Sequence, residues 1–263
     1  MITWCPKGRE IRPNGASRRA GCRSRAAVRA GPVGVQTPAV DTPRRDLPAW
    51  RRRTRGEHRW ASALAVAVVI ALQMLLPART VPQIRYVLGA LEIALLVALL
   101  VVNPFRVDRE SSVIRGVSLA LVGLVVLSNG WSAVLLVTYL VRGQETGPGQ
   151  LLTAGAGIWV TNVLAFALVY WEQDRGGPAA RAAGEREHPD LLFPQMQSPE
   201  VAAPDWEPEF ADYLYLSFTN STAFSPTDVL PLTRRIKLVM MVQSAVALVV
   251  VLLVVARAVN VLN

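Results

Sequence analysis

Five long apolar segments dominate this sequence and limit what the chain can fold into. They cover residues 60–76, 84–102, 113–141, 151–171 and 236–262. A helix needs about 20 predominantly apolar residues to cross the hydrocarbon core of a bilayer, which is roughly 30 Å thick. The chain is 52% hydrophobic and only 18% charged, a composition typical of proteins with several membrane crossings. We therefore predict an all-α membrane helix bundle with five transmembrane helices, the first four of which form one unit over residues 56–171.

Basic residues flank these segments unequally and predict how the chain is oriented. Lys and Arg are enriched in cytoplasmic flanks, and the first segment is immediately preceded by Arg51, Arg52, Arg53, Arg55 and Arg59. The other flanks expected on this side carry Arg106, Arg109, Arg115, Arg175, Arg181, Arg186, Arg234, Arg235 and Lys237. The opposite flanks carry Arg79, Arg85 and Arg142. The sequence thus predicts a multi-pass protein of the cell (plasma) membrane with a cytoplasmic N-terminus.

Residues 1–55 form an N-terminal tail that is rich in Arg, Pro, Gly and Ala. Residues 1–60 contain 15 of the chain's 28 Lys and Arg but only four of its 19 Asp and Glu. Such a segment cannot bury enough apolar surface to offset its ordering entropy, so we predict disorder. The positive charge suits contact with anionic lipid, whereas nucleic acid is not favoured because no aromatic or helical stripe organises the arginines. A start of translation downstream, near Val33 or Val40, is an alternative for the first part of this tail.

The remaining long polar segment, residues 172–208, is rich in Gly, Pro, Ala and acidic residues. We interpret it as a solvated loop with a short interfacial turn near Leu191, because its acids are spaced irregularly among prolines. The two cysteines, Cys5 and Cys22, lie in the tail, and the two histidines lie far apart in the sequence. The sequence therefore indicates no metal site, no cofactor and no catalytic constellation, and we expect no enzyme activity.

Polar residues inside the apolar segments are costly in a membrane and therefore informative. Glu92 is the only acid within the five segments, and its functional interpretation is a cation site or a proton relay. The alternative is a carboxyl group that is neutral or paired with an arginine at a helix end. Gln73, Asn129, Asn162 and Gln243 are predicted to hydrogen-bond between helices, each contributing on the order of 0.6 kcal/mol.

A shorter stretch of mixed character, residues 209–224, precedes the last apolar segment. Its first half is apolar and aromatic, and its second half carries hydroxyl and amide groups at Thr219, Asn220, Ser221 and Thr222. At about 14 residues it is too short to cross a bilayer, and Pro226 would end the helix. A helix that stops inside a membrane must bury its end in protein or line a wet cavity. We predict a re-entrant half-helix that forms a unit with the last transmembrane helix, residues 209–263.

The sequence "DYLYLSFTNSTAFSPTDVLP", followed by a basic pair and a long apolar helix, resembles the pore region of two-span potassium channels. In that family a pore helix leads into Thr-Val-Gly-Tyr-Gly-Asp, and here Thr222 matches the threonine that closes the pore helix and Asp228 the aspartate. Ser225, Pro226 and Thr227 replace Gly-Tyr-Gly, whose backbone dihedrals turn carbonyl groups toward the ion. Because proline forbids that geometry, the resemblance implies no potassium-selective filter.

Residues 209–262 are also similar to the C-terminal part of an uncharacterised family of bacterial predicted membrane proteins, which have comparable "DYLYxSFT" and "SPTDV" stretches. The channel resemblance implies an ion-channel-like protein that passes monovalent cations and assembles as a homotetramer to enclose a path. Its pore-loop candidates are Thr219, Asn220, Thr222, Ser225, Pro226, Thr227 and Asp228. The alternative is a non-conducting, channel-derived membrane protein with an assembly or regulatory role, in which the polar stretch packs against other helices.

Overall fold

The computed structural model describes residues 47–76, 84–102, 112–143, 148–222 and 228–262. Besides short 3-10 turns, its elements in chain order are α1 (Trp60–Leu75), α2 (Ile84–Val102), α3 (Ser112–Val141), α4 (Pro148–Gln173), α5 (Pro178–Ala183), β1 (Leu191–Leu192), α6 (Pro194–Gln197), α7 (Phe210–Thr222), β2 (Leu230–Pro231) and α8 (Arg234–Leu262). Three of these helices begin at a proline, whose fixed φ suits the first turn and whose missing N–H costs no helical hydrogen bond there. The five long helices begin and end within three residues of the predicted segments.

Three helical segments of the described chain are long and apolar enough to cross a membrane, judged by length and composition. They are Ser112–Val141, Gly149–Ala183 and Arg234–Ala256. The apolar helix Trp60–Leu75 is shorter, and its 16 residues extend about 24 Å, less than the roughly 30 Å of a typical hydrocarbon core. The prediction of a mostly helical protein with apolar, membrane-compatible helices is therefore confirmed, and the count of five crossings stays a prediction.

Successive long helices run in opposite directions. The guanidinium of Arg59, just before α1, donates to the carbonyl of Leu99 near the end of α2 at 3.2 Å. Ser118, near the start of α3, donates to the carboxyl group of Glu172 near the end of α4. We call this end of the bundle the charged end. At the opposite end, the apolar end, four helices meet in a cluster that includes Leu76, Leu136, Leu151 and Val254.

The central helix is α4, which packs against α1, α3, α7 and α8. Its small residues allow close approach: a Cβ at Gly155 would lie 2.6 Å from Cγ2 of Val254 on α8, so a larger residue would force Val254 or one of the helices to shift. The outer faces of the bundle are apolar and open, as Leu127 shows with 72% of its surface exposed. So much exposed apolar surface is unusual for a soluble monomer and fits contact with lipid.

The prediction of a disordered tail is wrong for the C-terminal end of that tail. Residues 47–55 were assigned to the tail, yet Trp50 is only 7% exposed and belongs to the main hydrophobic core. The backbone N–H of Thr54 donates to the carbonyl of Ala182 at 2.9 Å, which fastens this segment to α5. The prediction of disorder relied on the arginine-rich composition of this segment. Composition does not reveal partners that lie more than a hundred residues away in the sequence, so the prediction failed here. Residues 1–46 lie outside the described residues.

The interpretation of residues 172–208 as a solvated loop is wrong for the segment that follows α4. The chain turns sharply at Arg175, Gly176 and Gly177, whose φ angles of 51°, 91° and 101° lie in the left-handed region that favours glycine. This turn leads into α5, whose residues are mostly buried. Further on, β1 pairs antiparallel with β2 in the register Leu191↔Pro231. The segment is therefore a packed cap over the charged end of the bundle.

Candidate functional site

The polar stretch singled out from the sequence forms α7, which begins at the charged end. The backbone N–H of Phe210 donates to Glu57 at 2.5 Å, and the hydroxyl of Tyr213 donates to Asp174 at 2.7 Å. One turn further on, Ser217 donates to the carbonyl of Val163 in the middle of α4 at 2.6 Å. The 13 residues of α7 extend about 20 Å along the bundle. The helix therefore runs from the charged end into the interior.

After α7 the chain comes back to the end from which it started. The hydroxyl of Tyr215 lies 3.3 Å from a carboxyl oxygen of Asp228, and β2 then pairs with β1 beside the charged end. Ser225, Pro226 and Thr227, three of the pore-loop candidates, lie outside the described residues. The helix α8 starts at this same end and runs the whole length of the bundle to the apolar end.

One side chain of α8, Gln243, connects α7 to the rest of the protein. It is fully buried, and its carbonyl oxygen accepts hydrogen bonds from Tyr170 at 2.5 Å and from Asn220 at 2.9 Å. Its amide nitrogen donates to the hydroxyls of Ser217 at 2.6 Å and Ser221 at 2.8 Å. We call Gln243, these four partners and Asn162 the polar core.

The polar core extends across the bundle to α3. The side-chain amide of Asn162 donates to the backbone carbonyl of Gln243 at 3.4 Å. It accepts in turn from the amide of Asn129 on α3, also at 3.4 Å. Three of the polar residues predicted from the sequence, Asn129, Asn162 and Gln243, therefore form hydrogen bonds that link α3, α4, α7 and α8. Such bonds align helices where apolar contacts alone would permit several registers.

The pore-loop candidates do not converge on one open path among the described residues. Asn220 is part of the polar core, whereas Thr219 and Thr222 donate to carbonyls one turn earlier in α7, each at 3.0 Å. Back-bonding of this kind satisfies a hydroxyl without any outside partner. Asp228 is exposed and lies beside Tyr215 on the outer side of α7. The polar groups of α7 are thus mostly paired within the protein.

Glu92 belongs to a second, separate cluster. One of its carboxyl oxygens lies 3.2 Å from the hydroxyl of Ser128 and 3.5 Å from the amide of Gln73, and these two side chains bond to each other at 2.8 Å. The other oxygen is buried and has no hydrogen-bond partner within the part of the chain that the structure describes. Three helices, α1, α2 and α3, are joined here. The two interpretations of Glu92, a cation site or proton relay and a neutral or paired carboxyl group, stay predictions.

A third cluster, which sequence reasoning missed, lies at the charged end. We call it the ionic cluster: Glu57, Asp174, Arg175, Arg181 and Tyr213. Asp174 is fully buried, and one carboxyl oxygen accepts the backbone N–H groups of Asp190 at 2.9 Å and Leu191 at 3.2 Å. The other accepts from Tyr213, with the guanidinium of Arg175 at 3.9 Å. This carboxylate therefore fixes the turn after α4, the strand β1 and the start of α7 to one another.

The two arginines of the ionic cluster fasten further segments. Arg175, only 2% exposed, donates to the backbone carbonyl of Trp50. Arg181 donates to the carbonyl of Trp171 at 2.5 Å and lies 4.9 Å from the ring centroid of Tyr213, within cation–π range. The sequence did contain a weak signal, namely an adjacent acid and arginine three residues after the end of an apolar segment and directly before two glycines. Its meaning depended on partners that only the fold reveals.

Burial raises the pKa of Glu57, although hydrogen bonds from Trp171 and Phe210 and the charge of Arg181 act in the opposite direction. Between the ordinary value of 4.5 and the raised value, the folded protein binds a proton that the unfolded chain has released. We therefore expect the unfolding free energy to fall as the pH rises through this window. Glu57→Gln should flatten this dependence, whereas Glu200→Gln, at an exposed site, should leave it unchanged. Denaturant titrations between pH 4 and 8 would measure the slopes, and equal slopes for all three proteins would contradict the assignment.

A comparison with protein-family models, curated proteins and solved structures finds no match. The resemblances drawn from residues 209–262 therefore remain predictions. Within the described ranges, no group of three or more His, Cys, Asp and Glu side chains is arranged to bind a metal ion. What the structure offers is a buried hydrogen-bonded attachment of α7, together with a buried ionic cluster at its start.

Proposed function

We propose that this protein is an integral membrane protein with five crossings and a re-entrant α7, and that it acts as a non-conducting structural or regulatory membrane component. The observation that carries this proposal is the pairing of the α7 polar face with Gln243. In an ion pathway, carbonyl and hydroxyl groups replace the water shell of the ion and must face the path. In α7 the groups of Ser217, Asn220 and Ser221 are instead directed into the polar core.

The five-crossing topology is supported by the alternating directions of the long helices and by the basic residues at one end. Arg59, Arg115 and Arg181 lie close enough to Glu172 for their charges to act on it. These arginines come from three flanks that the Lys and Arg distribution assigns to the cytoplasmic side. The proposed location is the plasma membrane, with the charged end and the N-terminus facing the cytoplasm.

Labelling of single cysteines tests this topology. In a variant without Cys5 and Cys22, we expect Arg53→Cys, Glu200→Cys and Leu232→Cys to react from one side of the membrane and Arg142→Cys from the other. All four positions are exposed and lie outside the long helices. The measurement is the reaction with an impermeant maleimide in intact cells, compared with permeabilised cells. Labelling of Glu200→Cys and Leu232→Cys from opposite sides would mean that α7 crosses completely and would overturn the re-entrant proposal.

A second candidate function is an ion-channel-like protein in which several copies enclose a path for monovalent cations. The observation that favours it is the exposure of Thr222 and Asp228 on the outer side of α7. Four copies would be needed if the resemblance to potassium channels extends to assembly.

Flux measurements in liposomes separate the two candidates. With the non-conducting proposal, vesicles containing folded wild-type protein should retain a potassium gradient as well as empty vesicles do. Asp228→Ala and Thr222→Val should change nothing, and an added ionophore should discharge every preparation. A wild-type leak that either substitution alters would contradict the non-conducting proposal and favour the channel.

A further inference from the structure

A groove between α3, α4 and α8 opens on the outer surface of the bundle. Its volume is about 450 Å³, and its walls are almost entirely apolar. The wall residues include Leu119, Val122 and Val126 of α3, Phe166 of α4, and Leu238 and Val242 of α8. It reaches Glu172 and Gln173 and therefore extends to the charged end. Its apolar walls suit one acyl chain of a membrane lipid.

Basic residues continue the walls of this groove at the charged end. On a helix, residues four apart lie on the same face one turn from each other. Arg234 therefore lies one turn before Leu238, and Arg115 lies one turn before Leu119. Arg235 precedes Val239, another groove residue, by the same spacing. Arg234 and Arg235 are exposed.

Glu172 is the one acid among the groove residues. It is only 4% exposed, it accepts a hydrogen bond from Ser118, and the charges of Arg59, Arg115 and Arg181 act on it. Its negative charge is therefore largely compensated within the protein. The net charge that the mouth of the groove presents to a ligand is positive.

We infer that this groove binds an anionic phospholipid, with an acyl chain along the apolar walls and the headgroup phosphate at Arg234 and Arg235. The inference rests on the proposed membrane location of α3, α4 and α8. An acyl chain gains little by exchanging lipid neighbours for apolar side chains, so selectivity must come from the headgroup. Each basic residue near an anionic headgroup strengthens binding by roughly fivefold. Two arginines should therefore favour an anionic over a zwitterionic lipid by roughly 25-fold.

Native mass spectrometry of the full chain in detergent micelles tests the headgroup preference. Phosphatidylglycerol and phosphatidylcholine with identical acyl chains are titrated separately. We expect the wild type to bind phosphatidylglycerol roughly 25-fold more tightly, and the double variant Arg234→Gln, Arg235→Gln to lose most of this preference. Arg142→Gln, which removes an exposed arginine at the opposite end, should retain it. Equal affinities of the wild type for the two lipids would overturn the inference.

A second pair of variants tests whether the groove itself is the site. Gly123 lines the groove, and a Cβ built there meets nothing within 4 Å, so we expect Gly123→Leu to place its side chain in the groove. It should abolish tight phosphatidylglycerol binding, whereas Ala94→Leu, exposed on α2 outside the groove, should not. If Gly123→Leu still binds phosphatidylglycerol tightly, the arginines bind the lipid as an open surface patch. That result would contradict the assignment of the groove as the binding site. Lipid binding in micelles does not depend on which side of a membrane a residue faces. A negative result for lipid binding can therefore be distinguished from a cysteine-labelling result that contradicts the proposed topology.

Discussion

Replacing Asp174 with alanine is expected to lower the free energy of unfolding by about 3–5 kcal/mol, the largest effect of any single substitution considered. The carboxylate is fully buried and accepts three hydrogen bonds, two from backbone N–H groups and one from Tyr213. Its removal leaves the guanidinium of Arg175, 2% exposed, without its acidic neighbour. An uncompensated buried charge costs more than the pair contributes, which is why the loss of one partner is so damaging.

The measurement is unfolding in mixed micelles at increasing dodecyl sulfate, followed by tryptophan fluorescence, since Trp50 and Trp171 adjoin the cluster. Asp205→Ala is the matched control: the residue is exposed, and its loss should change stability by no more than about 0.5 kcal/mol. The loss of stability in Asp174→Asn should lie between those of Asp174→Ala and Asp205→Ala, because the amide keeps one hydrogen-bond acceptor but removes the charge. If Asp174→Ala unfolds at the same point as Asp205→Ala, the ionic cluster does not stabilise the fold as described.

Gln243→Leu should destabilise the protein by about 2–3 kcal/mol and release α7 from its place. Leucine has similar volume, so the loss reflects hydrogen bonds to four side chains rather than a cavity. Interhelical hydrogen bonds in membranes contribute about 0.6 kcal/mol on average, with a maximum near 1.7. The buried hydroxyls of Ser217 and Tyr170 would also lose a partner, at a further cost of about 1 kcal/mol or more.

Two readouts distinguish this attachment from a general loss of packing. The labelling rate of a cysteine at Thr222, the end of α7, should rise in Gln243→Leu but not in Gln197→Leu, an exposed glutamine on α6. In a double-mutant cycle with Ser217→Ala, the double variant should lose less stability than the sum of the losses in the two single variants, because both substitutions remove the same hydrogen bond. Additive effects, or unchanged labelling of α7, would mean that other contacts determine the position of α7.

The long helices could be predicted because apolar runs of this length have few other solutions. Their bounds followed from the change between apolar and polar composition along the chain. The polar residues within these helices, such as Asn162 and Gln243, were also informative, since a buried amide in an apolar helix needs a hydrogen-bond partner. The partner of each buried amide could not be predicted. It depends on how helices that are far apart in the sequence are rotated about their axes and shifted along them.

The charged end shows the opposite case. Residues 172–183 combine acids, arginines, glycines and a proline, which on average indicates a solvated loop. That average fails here because Asp174 and Arg181 both contact Tyr213 of α7, and Arg175 donates to the carbonyl of Trp50 in the tail. These interactions offset the cost of burying the charged groups. Local composition contains no information on such distant pairing. The same reason explains why residues 47–55 were assigned to a disordered tail.

The central position of α4 has a consequence for how the protein is made. The amide of Asn162 bonds to a carbonyl 81 residues later, and Tyr170 bonds to a side chain 73 residues later. While the ribosome is still producing the segment before α8, these α4 groups lack that partner, and an unsatisfied polar group in hydrocarbon costs several kcal/mol. These hydrogen bonds of Asn162 and Tyr170 can therefore form only after α8 has been synthesised.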